Sequence, residues 1–216
     1  MKLTCFARPP FFLRRLVMML LGVFVQGFGL SFLIMIDWGT DPWTGFVIGL
    51  TKHFPISYGN CQLICAAVLF LVIIAFDMSK IGFGTIGNMV IVGYVADFFS
   101  GLWTRVIGEA FFDQILWSGL LLLPALAVFL AGASAYLSAD LGGSPYDAVP
   151  FILSAHLKRI PFKFVRMGWD VSFLVLGFLL GGPIGVITIL VAFFLGPAIA
   201  WFQKKLSVFF KEKEPA

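Results

Sequence analysis

The sequence predicts an all-α membrane protein with about six transmembrane helices, arranged as two inverted three-helix repeats that each contain a short proline-led half-helix. Three observations predict this class: the apolar composition, the number of long apolar segments and an internal repeat. Hydrophobic residues make up 60% of the 216 residues and charged residues 12%, with a mean hydropathy of +1.01. A water-soluble domain carries about 25% charged residues. This chain therefore lacks the polar residues needed to cover itself in water.

Six apolar segments are long enough to cross a bilayer, whose hydrocarbon core of about 30 Å needs about 20 helical residues. They are residues 15–36, 59–77, 81–99, 115–138, 164–181 and 184–203. The chain then divides into a basic N-terminal tail (1–14), a first membrane repeat (15–99), an extracytoplasmic linker (100–114), a second membrane repeat (115–203) and a basic C-terminal tail (204–216). The first apolar run is too long for a signal-peptide core, so we expect it to be retained as a span.

The basic residues predict the orientation of these segments. With both termini in the cytoplasm, 13 of the 15 Lys and Arg residues fall on the cytoplasmic side, and only Lys52 and Arg105 fall outside. Cytoplasmic loops of membrane proteins carry an excess of Lys and Arg. The net charge of +4 has the same explanation. It gives no support for nucleic-acid binding.

An internal repeat relates the two halves. Residues 29–99 align without a gap with residues 132–202, at a constant offset of 103. Identical pairs include Asp37/Asp140, Gly39/Gly142, Pro42/Pro145, His53/His156, Gly82/Gly185 and Thr85/Thr188. Three spans per repeat would invert the second copy relative to the first, and membrane proteins of this kind hold their solute site between the copies.

A rival count has eight spans. Each repeat also contains a short apolar segment, Pro42–His53 or Pro145–His156. If both crossed the membrane, the repeats would be parallel and 14 basic residues would lie inside, so charge does not decide between the counts. A dozen helical residues extend only about 18 Å. Length therefore favours half-helices that enter the bilayer without crossing it.

The residues of the turns before the half-helices predict a sharp bend followed by a capped helix start. Gly39 and Gly142 permit a sharp bend, and Pro42 and Pro145 follow at the first helical position. Asp41 and Ser144 stand at the N-cap, and Ser144 with Asp147 approximates a capping box, with Asp in place of Glu. One interpretation is a pair of ordinary boundary turns. The other is that the half-helices present unpaired N–H groups to a ligand beside Asp37 and Asp140.

Other polar residues in apolar surroundings complete the candidate site. Asn88 has no local structural reason to lie within a span, and Arg166 and Asp170 stand one helical turn apart in the fifth. The substrate-binding candidates are Asp37, Asp41, Asn88, Asp140, Ser144, Asp147, Arg166 and Asp170. Four residues at the starts of the third spans are expected to be structural, because small residues allow close helix contact: Gly82, Thr85, Gly185 and Thr188.

Motifs for catalysis, cofactors and metals find no support. The sequence has no H-E-x-x-H, G-x-S-x-G or phosphate-binding G-x-x-x-x-G-K-[ST] pattern. Residues 82–87 spell G-x-G-x-x-G, but an apolar span precedes them rather than a strand of a βαβ unit. Cys61 and Cys65 lack the further ligands of a metal site and are expected to pack. We therefore expect no enzyme activity, no cofactor and no metal.

Several of these motifs resemble the YczE/YyaS/YitT family of bacterial membrane proteins. They are Gly39-Thr40-Asp41-Pro42-Trp43, Ile56-Ser57-Tyr58-Gly59, Ile81–Ile86, Leu141–Asp147 and Gly181–Thr188. The resemblance covers about residues 28–200. It implies a multi-pass protein of the bacterial plasma (inner) membrane, without an established biochemical activity.

The leading functional expectation is a small-solute secondary transporter with its site between the two repeats. Two alternatives remain. One is a non-transporting membrane scaffold or regulatory partner of another enzyme, and the other is a substrate-capture subunit of an ATP-driven importer. The expected partners are the lipid bilayer and an unidentified small solute, and a homodimer or a complex with another membrane protein is compatible with the pattern.

Overall fold

The computed structural model describes residues 6, 8–185, 188, 201 and 204. Within these residues the chain is α-helical and contains no strand, which confirms the predicted all-α class. The helices are α1 (Phe12–Ile36), α2 (Pro42–Thr51), α3 (Tyr58–Phe76), α4 (Phe83–Val106), α5 (Glu109–Phe112), α6 (Ile115–Ser138), α7 (Pro145–His156) and α8 (Phe162–Leu179). A 3₁₀ turn, Met78–Lys80, connects α3 to α4.

Four helices in the described part of the chain are long and apolar enough to cross a membrane: α1, α3, α4 and α6. The fifth predicted span corresponds to α8, which has 18 residues but carries Lys163, Arg166 and Asp170. It is not among the four. The sixth predicted span, 184–203, lies outside the described residues except at 184, 185, 188 and 201.

The predicted linker 100–114 is partly helical. Helix α4 continues past the predicted end of the third span at about 99 to Val106, and α5 lies within the linker. The extension is held against α1, because the Trp103 indole stacks on Phe32 with ring centroids 4.8 Å apart and donates a hydrogen bond of 3.0 Å to Ser31 Oγ. The two half-helices have 10 and 12 residues. Each is therefore too short to cross a bilayer.

Helices α1 and α6 cross closely and run antiparallel. A Cβ at Gly22 would lie 2.5 Å from Tyr136 N, and one at Gly29 would lie 2.5 Å from Phe129 N. A Cβ at Gly132 would overlap Gln26 N. The residue numbers of the contacts on α6 fall as those on α1 rise, so the two helices run antiparallel. Small residues permit this backbone-to-backbone approach, which drives helix association in lipid.

Helix α4 lies on another side of α1 and runs parallel to it. Near the start of both helices, a Cβ at Gly87 would lie 2.8 Å from Met19 Sδ. Further along, a Cβ at Gly27 would lie 2.8 Å from Val92 O. Both numbers rise together, so α1 and α4 begin at the same end of the molecule, and α6 ends there.

The two half-helices pack on helices from the opposite half of the chain. Helix α2 lies along α8, where Gly45 and Phe46 contact Gly177. Helix α7 lies along α3, and the His156 ring meets Phe76 with centroids 5.9 Å apart. This exchange brings the N-termini of α2 and α7 into one region.

Candidate functional site

Two elbows with the same backbone conformation lead into α2 and α7. Asp37 and Asp140 adopt left-handed φ angles of 55° and 53°, and Gly39 and Gly142 follow with φ of 110° and 102°. Asp tolerates the left-handed region better than most residues, whereas φ near 105° is essentially restricted to glycine. The sharp turns predicted at Gly39 and Gly142 are therefore confirmed.

Each elbow is held by a glycine–threonine pair from the opposite half. Gly84 N–H donates a hydrogen bond of 2.7 Å to the carbonyl of Leu141 in the second elbow. Beside it, Gly82 N–H donates to Thr85 Oγ1 at 3.1 Å, and at the first elbow Gly185 N–H donates to Thr188 Oγ1 at 3.2 Å. The hydroxyls of Thr85 and Thr188 lie 2.7 Å from a Cβ placed on Gly142 and Gly39 respectively. The structural role expected for Gly82, Thr85, Gly185 and Thr188 is therefore to pack against the elbows.

Both predicted N-caps are present, with Pro42 and Pro145 opening the helices. Asp41 Oδ2 accepts the Thr44 N–H at 3.1 Å, and Ser144 Oγ accepts the Asp147 N–H at 3.1 Å. The expectation that unpaired N–H groups face a ligand is therefore wrong at these two positions. Side-chain capping satisfies the amides that an anion would otherwise bind.

The capping box expected at α7 is replaced by a different network. In a capping box the Asp147 carboxylate would accept the Ser144 N–H. That N–H instead donates to the Tyr136 hydroxyl at 2.5 Å, and Asp147 Oδ2 accepts the Ser144 hydroxyl at 2.7 Å. The other oxygen of Asp147, Oδ1, accepts a hydrogen bond of 2.8 Å from Arg166 Nη1.

Arg166 is held between two carboxylates on different helices. Its Nη1 lies 2.8 Å from Asp147 Oδ1 on α7, and its Nε lies 3.0 Å from Asp170 Oδ2, one turn along α8. Asp170 Oδ1 also accepts a hydrogen bond of 2.5 Å from the Tyr146 hydroxyl, and the guanidinium lies 5.1 Å from the centroid of that ring. The local Arg166–Asp170 pair expected from spacing is therefore part of a cluster that joins α7 to α8.

A cavity of about 580 Å³ lies between the half-helix N-termini and helices α1, α3, α4, α6 and α8. Six of the eight candidate residues line it: Asp41, Asn88, Ser144, Asp147, Arg166 and Asp170. Asp37 and Asp140 do not line it. The Asp140 side chain is 90% exposed and lies 3.9 Å from Arg15. Asp37 is likewise exposed.

Further lining residues come from positions that the sequence patterns did not single out. Gln26 and Gln62 face the cavity from α1 and α3, and Asn88 Nδ2 donates a hydrogen bond of 3.2 Å to Gln26 Oε1. An amide side chain within an apolar span was the available signal. The aromatic lining residues Trp43, Tyr58, Phe129, Tyr136, Tyr146, Phe151 and Phe162 carried no such signal, because 17% of the chain is aromatic.

Two buried acceptor atoms at the cavity have no hydrogen-bond partner: Asp41 Oδ1 and Gln62 Oε1. Gln62 is 3% exposed. Buried polar atoms are nearly always paired, so an exception usually marks a place for a ligand, ion or water. Within the described residues, no cluster of three or more His, Cys, Asp or Glu side chains has the arrangement of a metal site.

Comparison with known proteins places the chain in a family. Residues 13–204 match the model of a family of unknown function, DUF6198, and the chain belongs to this family. It is 28% identical over 178 residues to the uncharacterized membrane protein YczE of Bacillus subtilis (strain 168), covering 81% of this chain and 79% of the relative. It is 25% identical over 175 residues to the uncharacterized protein YyaS of the same organism, covering 79% and 83% respectively.

A relative from a second organism has similar coverage. An uncharacterized protein of Haemophilus influenzae (strain ATCC 51907 / DSM 11121 / KW20 / Rd) is 24% identical over 188 residues, which is 85% of this chain and 81% of that protein. No solved structure matches the chain significantly. The resemblance to YczE and YyaS is confirmed, whereas these matches do not extend it to YitT. Together with the apolar helices, they identify an integral membrane protein.

Proposed function

We propose that this protein is a secondary transporter of a small solute in a bacterial plasma membrane. The observation that carries the proposal is the cavity, which is lined by half-helix N-termini from both halves and by a charged cluster within an otherwise apolar protein. Ionisable residues inside membrane proteins usually mark a solute or ion pathway. A volume of about 580 Å³ is in the range of small-molecule pockets.

The proposal includes six spans formed by two inverted repeats. The antiparallel contact of α1 with α6 supports the inversion, because parallel repeats would align these equivalent helices in the same direction. The contacts of Gly29 with Phe129 and of Gln26 with Gly132 are also exchanged by the 103-residue offset. A twofold axis that relates two inverted copies predicts this exchange.

The repeats give the cavity a place in the transport cycle. Each elbow is clamped by the opposite half, and each half-helix packs on a helix of the opposite half. In the proposed cycle, a rocking movement between the two inverted copies changes the cavity walls, which is the usual basis of alternating access. With the termini cytoplasmic, as the basic residues predict, the two elbows lie toward opposite faces of the membrane.

A flux experiment tests transport directly. The purified full chain is reconstituted into liposomes, an isotopically labelled bacterial metabolite extract is added outside, and accumulated compounds are identified by mass spectrometry. We expect at least one compound to enter above the level of empty liposomes. Arg166→Gln and Asp170→Asn should each reduce its initial rate at least tenfold, because they break the cluster at the cavity wall.

Asp140→Asn is the matched control for these variants. It removes a carboxylate that lies outside the cavity, and Asn tolerates the left-handed conformation of this position. Its rate should stay within twofold of the wild type. Absence of flux for every compound, or equal loss in Asp140→Asn and Asp170→Asn, would contradict the proposal.

A further inference from the structure

The cavity wall contains hydrogen-bond acceptors that have no donor partner. Asp41 Oδ1 and Gln62 Oε1 are both buried without a partner, and both atoms are acceptors. Both atoms belong to the same wall of the cavity. Asp41 caps the amide of Thr44, and Thr44 Oγ1 lies 3.4 Å from the Tyr58 hydroxyl. Tyr58 in turn precedes Gln62 by one turn of α3. A ligand that satisfies this wall must bring N–H or O–H groups.

Several donors around the cavity already have acceptors. The Arg166 Nε and Nη1 atoms face Asp170 and Asp147, and the Tyr146 hydroxyl donates to Asp170. At the half-helix N-termini, the N–H groups of Thr44 and Asp147 are capped. An anionic ligand that used these donors would therefore have to break existing hydrogen bonds.

The charge of the cavity also favours a cation. Three carboxylates, Asp41, Asp147 and Asp170, and one guanidinium, Arg166, line it among the described residues. Residues 184–203, the predicted sixth span, contain no ionisable side chain in the sequence. Arg166 balances one of the two carboxylates that it contacts, and it makes no salt bridge to Asp41.

Aromatic rings near these acceptors suit a cation with an apolar body. The rings of Trp43 and Tyr146 lie 5.3 Å apart by centroid, and both residues line the cavity with Tyr58. The faces of Trp and Tyr attract cations, most strongly where water is excluded. Phe129 and Phe151 extend the apolar lining.

We propose that the cavity binds an organic ammonium ion with a compact apolar body, whose N–H groups donate to Asp41 Oδ1 and Gln62 Oε1. This inference rests on the proposed function and names its solute class. Arg166 is a positioning residue: it holds Asp147 and Asp170 in place and does not contact the ammonium group. Asp41 is the counter-ion of the bound cation.

Calorimetric binding to the full chain in lipid nanodiscs tests the proposal with four probes of similar size: phenethylammonium, phenyltrimethylammonium, phenethyl alcohol and phenylacetate. Empty nanodiscs correct for partition into lipid. We expect phenethylammonium to bind at least tenfold more tightly than the other three. The trimethylated ion keeps the charge but cannot donate a hydrogen bond, the alcohol donates without charge, and phenylacetate reverses the charge.

Two variants locate the binding site. Asp41→Asn keeps an N-cap residue and removes the charge, and Gln62→Leu removes the acceptor. Each should weaken phenethylammonium binding at least tenfold, while Asp140→Asn leaves it unchanged. Thermal unfolding of each variant without ligand checks that it folds. If Asp41→Asn does not fold, Gln62→Leu still tests the site.

Binding and flux separate this inference from transport. Ammonium binding without flux would overturn the transport proposal and support the cation site. Flux of an anionic compound that Arg166→Gln abolishes would support transport and overturn the cation site. Tighter binding of phenylacetate, no binding of phenethylammonium by the wild type, or unchanged binding in both folded variants would also overturn it.

Discussion

At the scale of single residues, the glycine of an elbow provides both a positive φ angle and the space that a Cβ would otherwise occupy. Gly39 and Gly142 have φ above 100°, and each faces a threonine hydroxyl 2.7 Å from where a Cβ would lie. Gly108 has a φ of 86°, but nothing lies within 4 Å of the place that a Cβ would take there. The three glycines therefore allow backbone strain to be separated from steric overlap.

We expect Gly39→Ala and Gly142→Ala to destabilise the protein by roughly 2–6 kcal/mol, because backbone strain costs about 1–3 kcal/mol and overpacking adds a similar amount. Gly108→Ala should destabilise the protein only by the cost of backbone strain. Midpoints of thermal unfolding in detergent, compared with the wild type, measure the difference. Equal losses for Gly108→Ala and Gly142→Ala would show that the contact with Thr85 contributes nothing.

At the scale of helices, the close crossing of α1 and α6 places the cavity walls. Gly22, Gly29 and Gly132 let the two backbones meet, and Gln26 on α1 faces both Gly132 and the cavity. A larger side chain at the crossing would push α1 away from α6 and displace Gln26. Helix contact and cavity shape are therefore coupled at this point.

Gly132→Leu should destabilise the protein by about 1–3 kcal/mol or more, the usual cost of overpacking, and should reduce any ligand binding that depends on Gln26. Gly101→Leu is the control, because nothing lies within 4 Å of a Cβ at Gly101 on α4. Detergent-solubilised yield and thermal unfolding are the measurements. If both variants behave like the wild type, the α1–α6 contact is looser than the structure indicates.

At the scale of the whole molecule, two halves exchange their parts. The first elbow meets Gly185 and Thr188, the second meets Gly84 and Thr85, and each half-helix packs on a helix of the other half. Each half-helix packs more extensively on the other half than on its own. We therefore expect the two halves to fold as one unit.

Accessibility labelling tests the proposed inverted topology. Lys52→Cys and Lys158→Cys, each in a background with Cys5, Cys61 and Cys65 changed to serine, are treated in intact cells with a membrane-impermeant maleimide. Six spans place residue 52 outside and residue 158 inside, so only Lys52→Cys should react before the cells are opened. Reaction at both positions, or at neither, would contradict the inverted arrangement.

Much of the candidate site was predictable because polar residues are rare in this chain. Asp41, Asn88, Ser144, Asp147, Arg166 and Asp170 stand out against apolar neighbours, and the structure brings all six to one cavity. Asp37 and Asp140 stand out in the same way but lie outside it. Both residues have left-handed φ angles and exposed side chains, which the pattern does not encode.

The sequence by itself determined the all-α membrane class, the two glycine elbows, the proline-led half-helices and their capping residues, because composition and local backbone preference act over a few neighbouring positions. Only the tertiary structure decided that Arg166 reaches Asp147 as well as Asp170, that the caps occupy the N–H groups expected for a ligand, and that Asp41 and Gln62 retain unpaired acceptors. These features depend on contacts between helices far apart in the chain, and helix packing fixes those distances rather than sequence spacing.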